Sequence, residues 1–516
     1  MALTVLGKQI IQTLALTTRD SSTAAWMNAV TVNGGSVSDA RKQMVDNLII
    51  GLKADGVWSK LDRLWLFAAE GSIAALTDIV GRTLATAINS PTFTVDQGFI
   101  GQDSPIPTKY INSNFAPNTG TARTQNSGHM SIWVTVYTPP SGTGGIDAGA
   151  SANSFDLLAT NRSGQSYAVL NDGNVQFTMP ANLTGFWITN RTGSTVNNGY
   201  VNNVLQNSIG TASGILNSDN IYVLCYDAGG PNLGAPDTIG SLSLGGGLTS
   251  TDLTNFFNRL STYMGAAFAN RWATMVIANG GTVSTQRQAL VANLIAGLMQ
   301  DNVWGKLDRL WLMAAENATA GLVDIVGSNL ATAVNSPSFT ADRGFLGNGT
   351  SSYINSGYNF ATNGVNYTLN SASLGFWSTD NFTNPNTALL GGNDGTNFAR
   401  IHIGNNWFFE SNQTAFTVIG NPNPGAELLA SSRTTSTLVT LYHNSTSLGT
   451  DAHATSAVPN VTAYILALYD GGVSGPNYYN STNRCSAAFF GGGLTSTDMS
   501  NIYSRLRTYM TAVGIP

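Results

Sequence analysis

Chemistry in this chain would have to come from a short list of side chains. Its 516 residues include 28 Asp and Glu and four histidines, His129, His402, His443 and His453. Glycan cleavage on a β-sandwich needs two carboxyl groups facing one cleft, which an E-x-D-x-x-E run supplies on one face of a strand. No such run occurs. The acids found at matching places in the two halves of the chain are Asp62/Asp308, Glu70/Glu316, Asp78/Asp324, Asp96/Asp342, Asp227/Asp470 and Asp252/Asp498. Most fall on expected helices or turns. Asp62 beside Arg63 reads as a helix-surface or inter-helix ion pair, and Asp252 as compensation of a helix dipole in the first turn.

The histidines occupy no common position in the two halves, and no His-x-His, HExxH or Ser/His/Asp arrangement is visible. Catalysis is therefore not expected. Asp96 and Asp342, with Gly and Asn nearby, could offer oxygen ligands to calcium, but no D-x-D-x-D run supports a site, so no metal and no cofactor is expected. Gly245–Gly247 and Gly491–Gly493 lack the Lys-Ser/Thr of a phosphate loop and mark a strand-to-helix turn. The two cysteines, Cys225 and Cys485, sit at non-corresponding places and read as apolar core thiols. Aromatic rings remain. Trp133 and Trp377 occur in both halves and read as packing, and Trp58, Trp65, Trp304 and Trp311 lie at helical spacing and read as core. Trp187 and Trp407 sit in a divergent stretch and are the candidate carbohydrate-binding residues.

The elements that must position these residues occur twice. Trp58–Phe99 and Trp304–Phe345 are identical at about two thirds of positions, in a register of 246 residues. Self-similarity of that length indicates duplication. The match extends to Asn33-Gly34-Gly35 and Asn279-Gly280-Gly281, to Tyr110–Ser113 and Tyr353–Ser356, and to Gly245–Asp252 and Gly491–Asp498. In each copy a helical module comes first. Ala40, Met44, Leu48 and Leu52 form one stripe of a helix over 36–52, with Ser36 or Ser38 as its N-cap. Leu290, Leu294 and Leu298 repeat the stripe. A second helix is expected from about Ser59 to Glu70 and a short third from Ile73 to Gly81.

Then the period changes to two, as in Met130–Tyr137. Asn171–Asn174 and Gly404–Asn406 read as hairpin turns, and 221–226 and 464–469 as strands. A helix over 252–264, with apolar Phe256, Phe257, Leu260, Tyr263 and Met264, closes the first unit, and one over 498–513 closes the second. No Pro/Gly/Ser linker separates Met264 from Trp272, which predicts a stiff junction near residue 265. The expected fold is α+β: two tandem repeats, each a small helical module plus an antiparallel β-sandwich closed by a C-terminal helix. The divisions are 1–88 helical, 89–248 sandwich, 249–334 closing helix plus second helical module, 335–494 second sandwich and 495–516 second closing helix.

Charged residues are only 10% of the chain, the net charge is −5, and no Lys/Arg cluster appears. That excludes nucleic acid and a basic membrane-surface helix as partners. No apolar run reaches the length of a membrane span. Met1–Leu16 lacks a basic start and a cleavage site and does not read as a signal peptide, so an extracellular location would follow lysis or particle assembly.

The layout K-L-D-R-L-W-L-x-A-A-E, N-S-P-x-F-T-x-D-x-G-F, a divergent strand-rich stretch, then G-G-G-L-T-S-T-D and R-L-x-T-Y-M resembles proteins of tailed-phage and prophage structural regions. The middle stretch, with Tyr200-Val201-Asn202 and Tyr442-His443-Asn444, is similar to concanavalin A-like, laminin-G-type jelly rolls. That resemblance implies a virion structural protein of decoration, fibre or adhesin type. It implies virion location, capsid or tail proteins as partners, homo-oligomer formation and adhesion to host-surface glycans. The alternatives are a soluble carbohydrate-binding module protein and, third, a polysaccharide-degrading enzyme.

Overall fold

The computed structural model describes residues 19–172, 177–180, 183–382, 387–420, 422, 424–471, 476–477 and 483–515. The reading of Met1–Leu16, and the Gly173-Asn174 half of the first hairpin turn, lie outside those residues. The chain divides into two compact units between Ala267 and Phe268, and one helix, Ser250–Ala278, contains that division.

Unit 1 begins with helices Ser21–Val32 and Asp39–Ala54. Ser38 caps the second, its Oγ accepting the Arg41 N–H at 3.2 Å. The Glu70 carboxylate holds Ser38 in turn, taking both its N–H and its hydroxyl. The buried face carries Arg41, Val45, Leu48, Ile49 and Leu52, while Ala40 is exposed and Met44 half-buried. The apolar stripe is thus rotated by one residue, and it places an arginine in the core.

The expected helix from Ser59 to Glu70 is not formed. Trp58–Lys60 is one 3-10 turn, Leu61–Trp65 is a strand, and the short helix that follows is Ser72–Leu76. Leu61, Leu64 and Trp65 suit a helix face by spacing, yet Leu61–Trp65 pairs antiparallel with Thr238–Gly245 instead. Asp62 makes this possible. It is buried and is no surface ion pair: its carboxylate accepts the N–H groups of Thr121, Ala122 and Arg123 at 2.7, 2.8 and 3.0 Å. Leu307–Trp311 repeats the strand on Cys485–Gly491, with Asp308 accepting from Val365, Asn366 and Tyr367.

Two sheets follow in unit 1. The first runs, in spatial order, Val204–Ile209, Val196–Val201, Gly185–Gly193, Gly128–Val136, Thr238–Gly245, Gly98–Ile100 and Phe93–Thr94. Its strand Gly128–Val136 is buried on both faces over most of its length. Ile132 packs inside the sandwich, and on the other face Trp133 stacks on Phe257 of Ser250–Ala278, centroids 6.1 Å apart. This is the helix-covered sheet. The second runs Phe177–Thr178, Gln165–Asp172, Phe155–Arg162, Ala148–Ala150, Tyr222–Val223, Tyr110–Asn112 and Thr86–Ile88. Among the described residues no helix packs on its outward face, and it is called the open sheet. Gly199 of one sheet lies so near Ala168 of the other that a Cβ there would stand 2.7 Å from the Ala168 Cβ.

Unit 2 has the same two layers. Its helix-covered sheet is Ser338–Thr340, Gly344–Leu346, Cys485–Gly491, Ala372–Ser378, Glu427–Thr435, Leu438–His443 and Thr446–Asp451. Trp377 stacks on Tyr503 of helix Ser496–Ala512 at 5.7 Å. The open sheet is Thr332–Val334, Tyr353–Asn359, Thr462–Ile465, Thr387–Asn393, Phe398–Ile403, Asn406–Phe408 and Val418–Gly420. Leu374, Phe376 and Leu429 of one sheet and Leu390, Ile401 and Ile403 of the other share one core. The chain reverses through Gly404–Asn406, with His402 paired to Phe408, and the Gly-rich strand-to-helix turns form as expected. Among the described strands pairing is antiparallel except where Tyr226–Asp227 runs beside Ala148–Ala150 and Leu468–Asp470 beside Thr387–Asn393.

Candidate functional site

Trp187 and Trp407, the residues expected to stack on sugars, are 0% and 1% exposed. Period-two alternation turns both inward. Trp187 lies opposite Ile132 and Val201, its Nε1 donating to the Leu183 carbonyl, and Trp407 belongs to the unit 2 core beside Phe382. Neither offers a ring face to solvent, which corrects that expectation. Asp96 and Asp342 are taken by arginines, pairing with Arg41 and Arg287, so calcium has no claim on them. Among the described residues no group of His, Cys, Asp and Glu could hold a metal ion.

Among the described residues a serine and a histidine stand at nucleophile-to-base spacing in one buried cluster. Ser131 Oγ lies 2.6 Å from Ser243 Oγ, which lies 3.2 Å from His129 Nε2. All three are fully buried, and His129 Nδ1 meets the Gly246 carbonyl at 2.6 Å. Burial pushes the His129 imidazole down to about 4, so it is neutral packing. Cys225 and Cys485 are both buried thiols.

The arrangement that offers ligand chemistry lies on the open sheet. One cross-strand row in unit 1 runs Asn112, Tyr222, Gly149, Leu157, Val169. The corresponding row in unit 2 runs Asn355, Tyr464, Gly391, Arg400, with the Arg400 N–H donating to the Glu410 carbonyl at 2.9 Å. In each case the preceding or following residue of the strand packs inward: Ile111, Val223 and Leu158 in unit 1, and Ile354, Ile465 and Ile401 in unit 2 are buried. By strand alternation the row faces away from the sandwich core, and within it Asn112, Tyr222 and Asn355 are half-buried while the other members are buried. Half of it, Asn–Tyr–Gly, is common to both units, and half differs.

The common half is a tyrosine step. Tyr110 and Tyr222 lie 4.7 Å apart at 32°, and Tyr353 and Tyr464 lie 4.5 Å apart at 33°. In unit 1 the Tyr222 hydroxyl is bonded to Asp227 and Tyr110. Burial, and then the Asp227 carboxylate, raise its phenol well above the usual range, so it stays a neutral donor. In unit 2 Tyr469 meets Tyr464 edge-on at 5.3 Å, and Asn393 Nδ2 donates to Asp470 at 2.9 Å. The strand beside the tyrosines carries glycine because there is no room for a side chain. A Cβ on Gly149 would meet the Asp156 carbonyl oxygen at 2.2 Å, and one on Gly391 the Ala399 oxygen at 2.3 Å. The sequence had signals for this face, since Tyr110/Tyr353 and Asp227/Asp470 match between copies. It had none for the glycines, whose importance lies in strand register.

The variable half is apolar in unit 1. There Leu157, Ala159, Tyr167 and Val169 form a satellite cluster packed with Phe155, Tyr226 and Leu233. In unit 2 it is polar and aromatic. Arg400 pairs with the fully buried Glu410, Nε to Oε2 at 2.9 Å and Nη2 to Oε1 at 3.4 Å. Phe398, Phe408 and Phe416 surround the guanidinium at 4.4, 4.9 and 5.4 Å. His402 lies beside them, held down to about 4 by burial and then by Arg400, and is neutral. Phe416 is 57% exposed, and Val418, opposite Phe408, is also exposed. The pair is buried and cancels its own charge, and of the rings around it Phe416 is exposed and Phe398 and Phe408 are half-buried.

No protein-family model and no curated relative matches the chain. Among solved structures it is similar to domain 4 of AbnA, a GH43 extracellular arabinanase from Geobacillus stearothermophilus in complex with arabinotriose. That match has 17% identity, covers 38% of this chain and 98% of that one, and has a TM-score of 0.26. It is also similar to a Trypanosoma rangeli sialidase in complex with 2,3-difluorosialic acid, at 12% identity, 43% and 40% coverage and a TM-score of 0.30. A third likeness is to the receptor binding domain of botulinum neurotoxin D, at 13% identity, 39% and 52% coverage and a TM-score of 0.27. The chain thus spans 40% of the sialidase and 52% of the neurotoxin domain.

Proposed function

We propose that the chain is a non-catalytic, glycan-binding structural protein of a tailed-phage particle. In this reading each unit is a concanavalin A-like jelly roll whose open sheet is the binding face. The observation that carries glycan binding is the Asn–Tyr–Gly row, which recurs on the outward face of both open sheets. Paired tyrosines stack on the apolar faces of sugar rings, and the adjoining Asp and Asn groups exchange hydrogen bonds with hydroxyls. The differing half of each row gives the two units different specificities. Unit 2, with its charge cancelled within the Arg400–Glu410 pair, suits neutral sugars.

The particle setting is supported by the sequence layout, from the K-L-D-R-L-W segment to the G-G-G-L-T-S-T-D turn. A soluble carbohydrate-binding protein would use the same face, and the location of the chain separates the two. Binding of the full chain to a glycan array tests the face. The wild type binds at least one neutral glycan, and Tyr110→Ala/Tyr353→Ala, with its circular dichroism unchanged, loses about tenfold or more in affinity, the worth of one or two stacked rings. An array without signal, or a double variant that binds as well as wild type, removes the glycan reading. Mass spectrometry and electron cryomicroscopy of purified particles test the setting: a chain present only in the particle-free supernatant points to the soluble protein.

A further inference from the structure

A group of buried carboxyls in unit 1 lies apart from the open-sheet row. Asp147 immediately precedes strand Ala148–Ala150, and Thr160 lies in Phe155–Arg162, both in the open sheet. Asp237 immediately precedes Thr238–Gly245, and Thr138 follows Gly128–Val136, both on the helix-covered side. Asp147 and Asp237 are 0% and 1% exposed. Thr160 binds both, its N–H donating to Asp147 Oδ2 at 2.7 Å and its hydroxyl to Asp237 Oδ2 at 2.6 Å. The Thr138 N–H donates to Asp237 Oδ1 at 2.7 Å. One oxygen, Asp147 Oδ1, is buried with no donor, and the two carboxyl groups are themselves within hydrogen-bonding contact. The titratable neighbour of the pair is Tyr137, whose hydroxyl accepts from Asn161 Nδ2 at 3.0 Å. The largest influences on either acid are burial, the other acid and Thr138 and Thr160, and none of them is a cation.

Two carboxylates cannot both be ionised in contact in a dry site without a cation. A proton on one of them supplies the missing donor. We infer that Asp147 and Asp237 share a proton that clips the two sheets of unit 1 together, so that this junction tightens in acid and loosens as the pH rises past neutrality. Burial raises both groups, Asp237 to about 6 and Asp147 well above the ordinary carboxylate range. Both therefore sit above their unfolded values. The stabilisation is complete below the usual carboxylate pKa near 4 and is lost as the pH climbs through about 6 and beyond.

Unit 2 is the internal control. Gly391 corresponds to Gly149 through the shared tyrosine pairing, which puts Leu389, fully buried, in the place of Asp147. Leu466 N–H donates to the Leu389 carbonyl just as Leu224 N–H donates to that of Asp147. Counting back from the Gly-Gly-Gly turn, Asn483 stands where unit 1 has Asp237, and its Nδ2 donates to the Asn381 carbonyl at 3.0 Å. The same junction is built there without an acid pair.

Hydrogen exchange of the full chain, read by mass spectrometry at about pH 5 and about pH 8 and corrected for intrinsic exchange, tests the clip. In wild type, peptides over 147–160 and 237–245 lose about tenfold in protection at the higher pH, which corresponds to about 1.4 kcal/mol. Peptides over 387–403 and 485–491 do not show that loss. Asp147→Leu/Asp237→Asn, which copies unit 2, abolishes the difference, and Asp237→Asn alone, whose amide donates to Asp147, flattens it should the double variant fail to fold. Protection that is independent of pH in wild type, or a loss that persists in Asp237→Asn, overturns the inference.

Discussion

A single buried arginine links the helical module of each unit to its sandwich. Arg41 donates to the Ala68 carbonyl at 3.2 Å and to the Tyr263 hydroxyl at 3.0 Å, and pairs with Asp96. Tyr263 completes the set by donating to the same carbonyl at 2.9 Å. Arg287, Tyr509, Asp342 and Ala314 repeat it, with donor distances of 2.7 and 2.8 Å from the arginine. A buried pair adds little over an apolar equivalent, but removing one partner strands the other. Asp96→Ala should therefore destabilise unit 1 by about 3–5 kcal/mol, and Arg41→Met/Asp96→Leu by much less. Urea unfolding followed by exchange over 39–54 reads both, and equal losses in the two would contradict a stranded charge. Sequence spacing made the Ser38 cap legible, because a cap is a local rule. It hid Arg41, which any helical reading assigns to the solvent side, and it left Asp96 without the partner that lies 55 residues away in sequence.

At the level of elements, local pattern and pairing competed, and pairing prevailed twice. Leu61–Trp65 has the spacing of a helix and is a strand, because Thr238–Gly245 offers it a ladder and the Thr121–Arg123 turn satisfies its buried Asp62. Nothing near Leu61 in sequence announces either partner. The period-two run Met130–Tyr137 was legible as a strand, yet its polar-looking face is covered, since Trp133 packs beneath the closing helix. The open-sheet glycines follow the same logic. Gly391 has φ +138°, where side chains are strained, and its missing Cβ would collide with the Ala399 carbonyl. Gly149 suffers the collision alone. Gly391→Ala should cost roughly 1–3 kcal/mol or more and Gly149→Ala somewhat less, each seen as a lower melting temperature. A neutral Gly391→Ala would mean that the neighbouring strand at Ala399-Arg400 shifts to make room.

Across the whole chain, few charges are present and the best-placed ones are inside. Only 10% of residues are charged, yet within unit 1 Arg123 meets Asp156 at 2.6 Å and Arg191 meets Asp172 at 2.8 Å, all four buried. In unit 2 Arg433 is buried as deeply, with Nε on the Ser411 carbonyl at 2.6 Å, and Arg400 is held by Glu410. The duplication and the low charge could be read from sequence, whereas this inward placement could not, since no composition says which arginines are enclosed. Salt separates the two populations. The screening length falls from about 10 Å at 0.1 M to about 3 Å at 1 M, and it acts on charges that water reaches. Pairs that water reaches, such as Lys42–Asp39, contribute little each. The melting temperature of the full chain should then move by less than about 2–4 °C, the equivalent of about 1 kcal/mol, between about 0.1 and about 1 M sodium chloride. A fall well beyond that would place the stabilising charge on the surface and would undo the argument that a sparsely charged chain is held by pairs sealed within each sandwich.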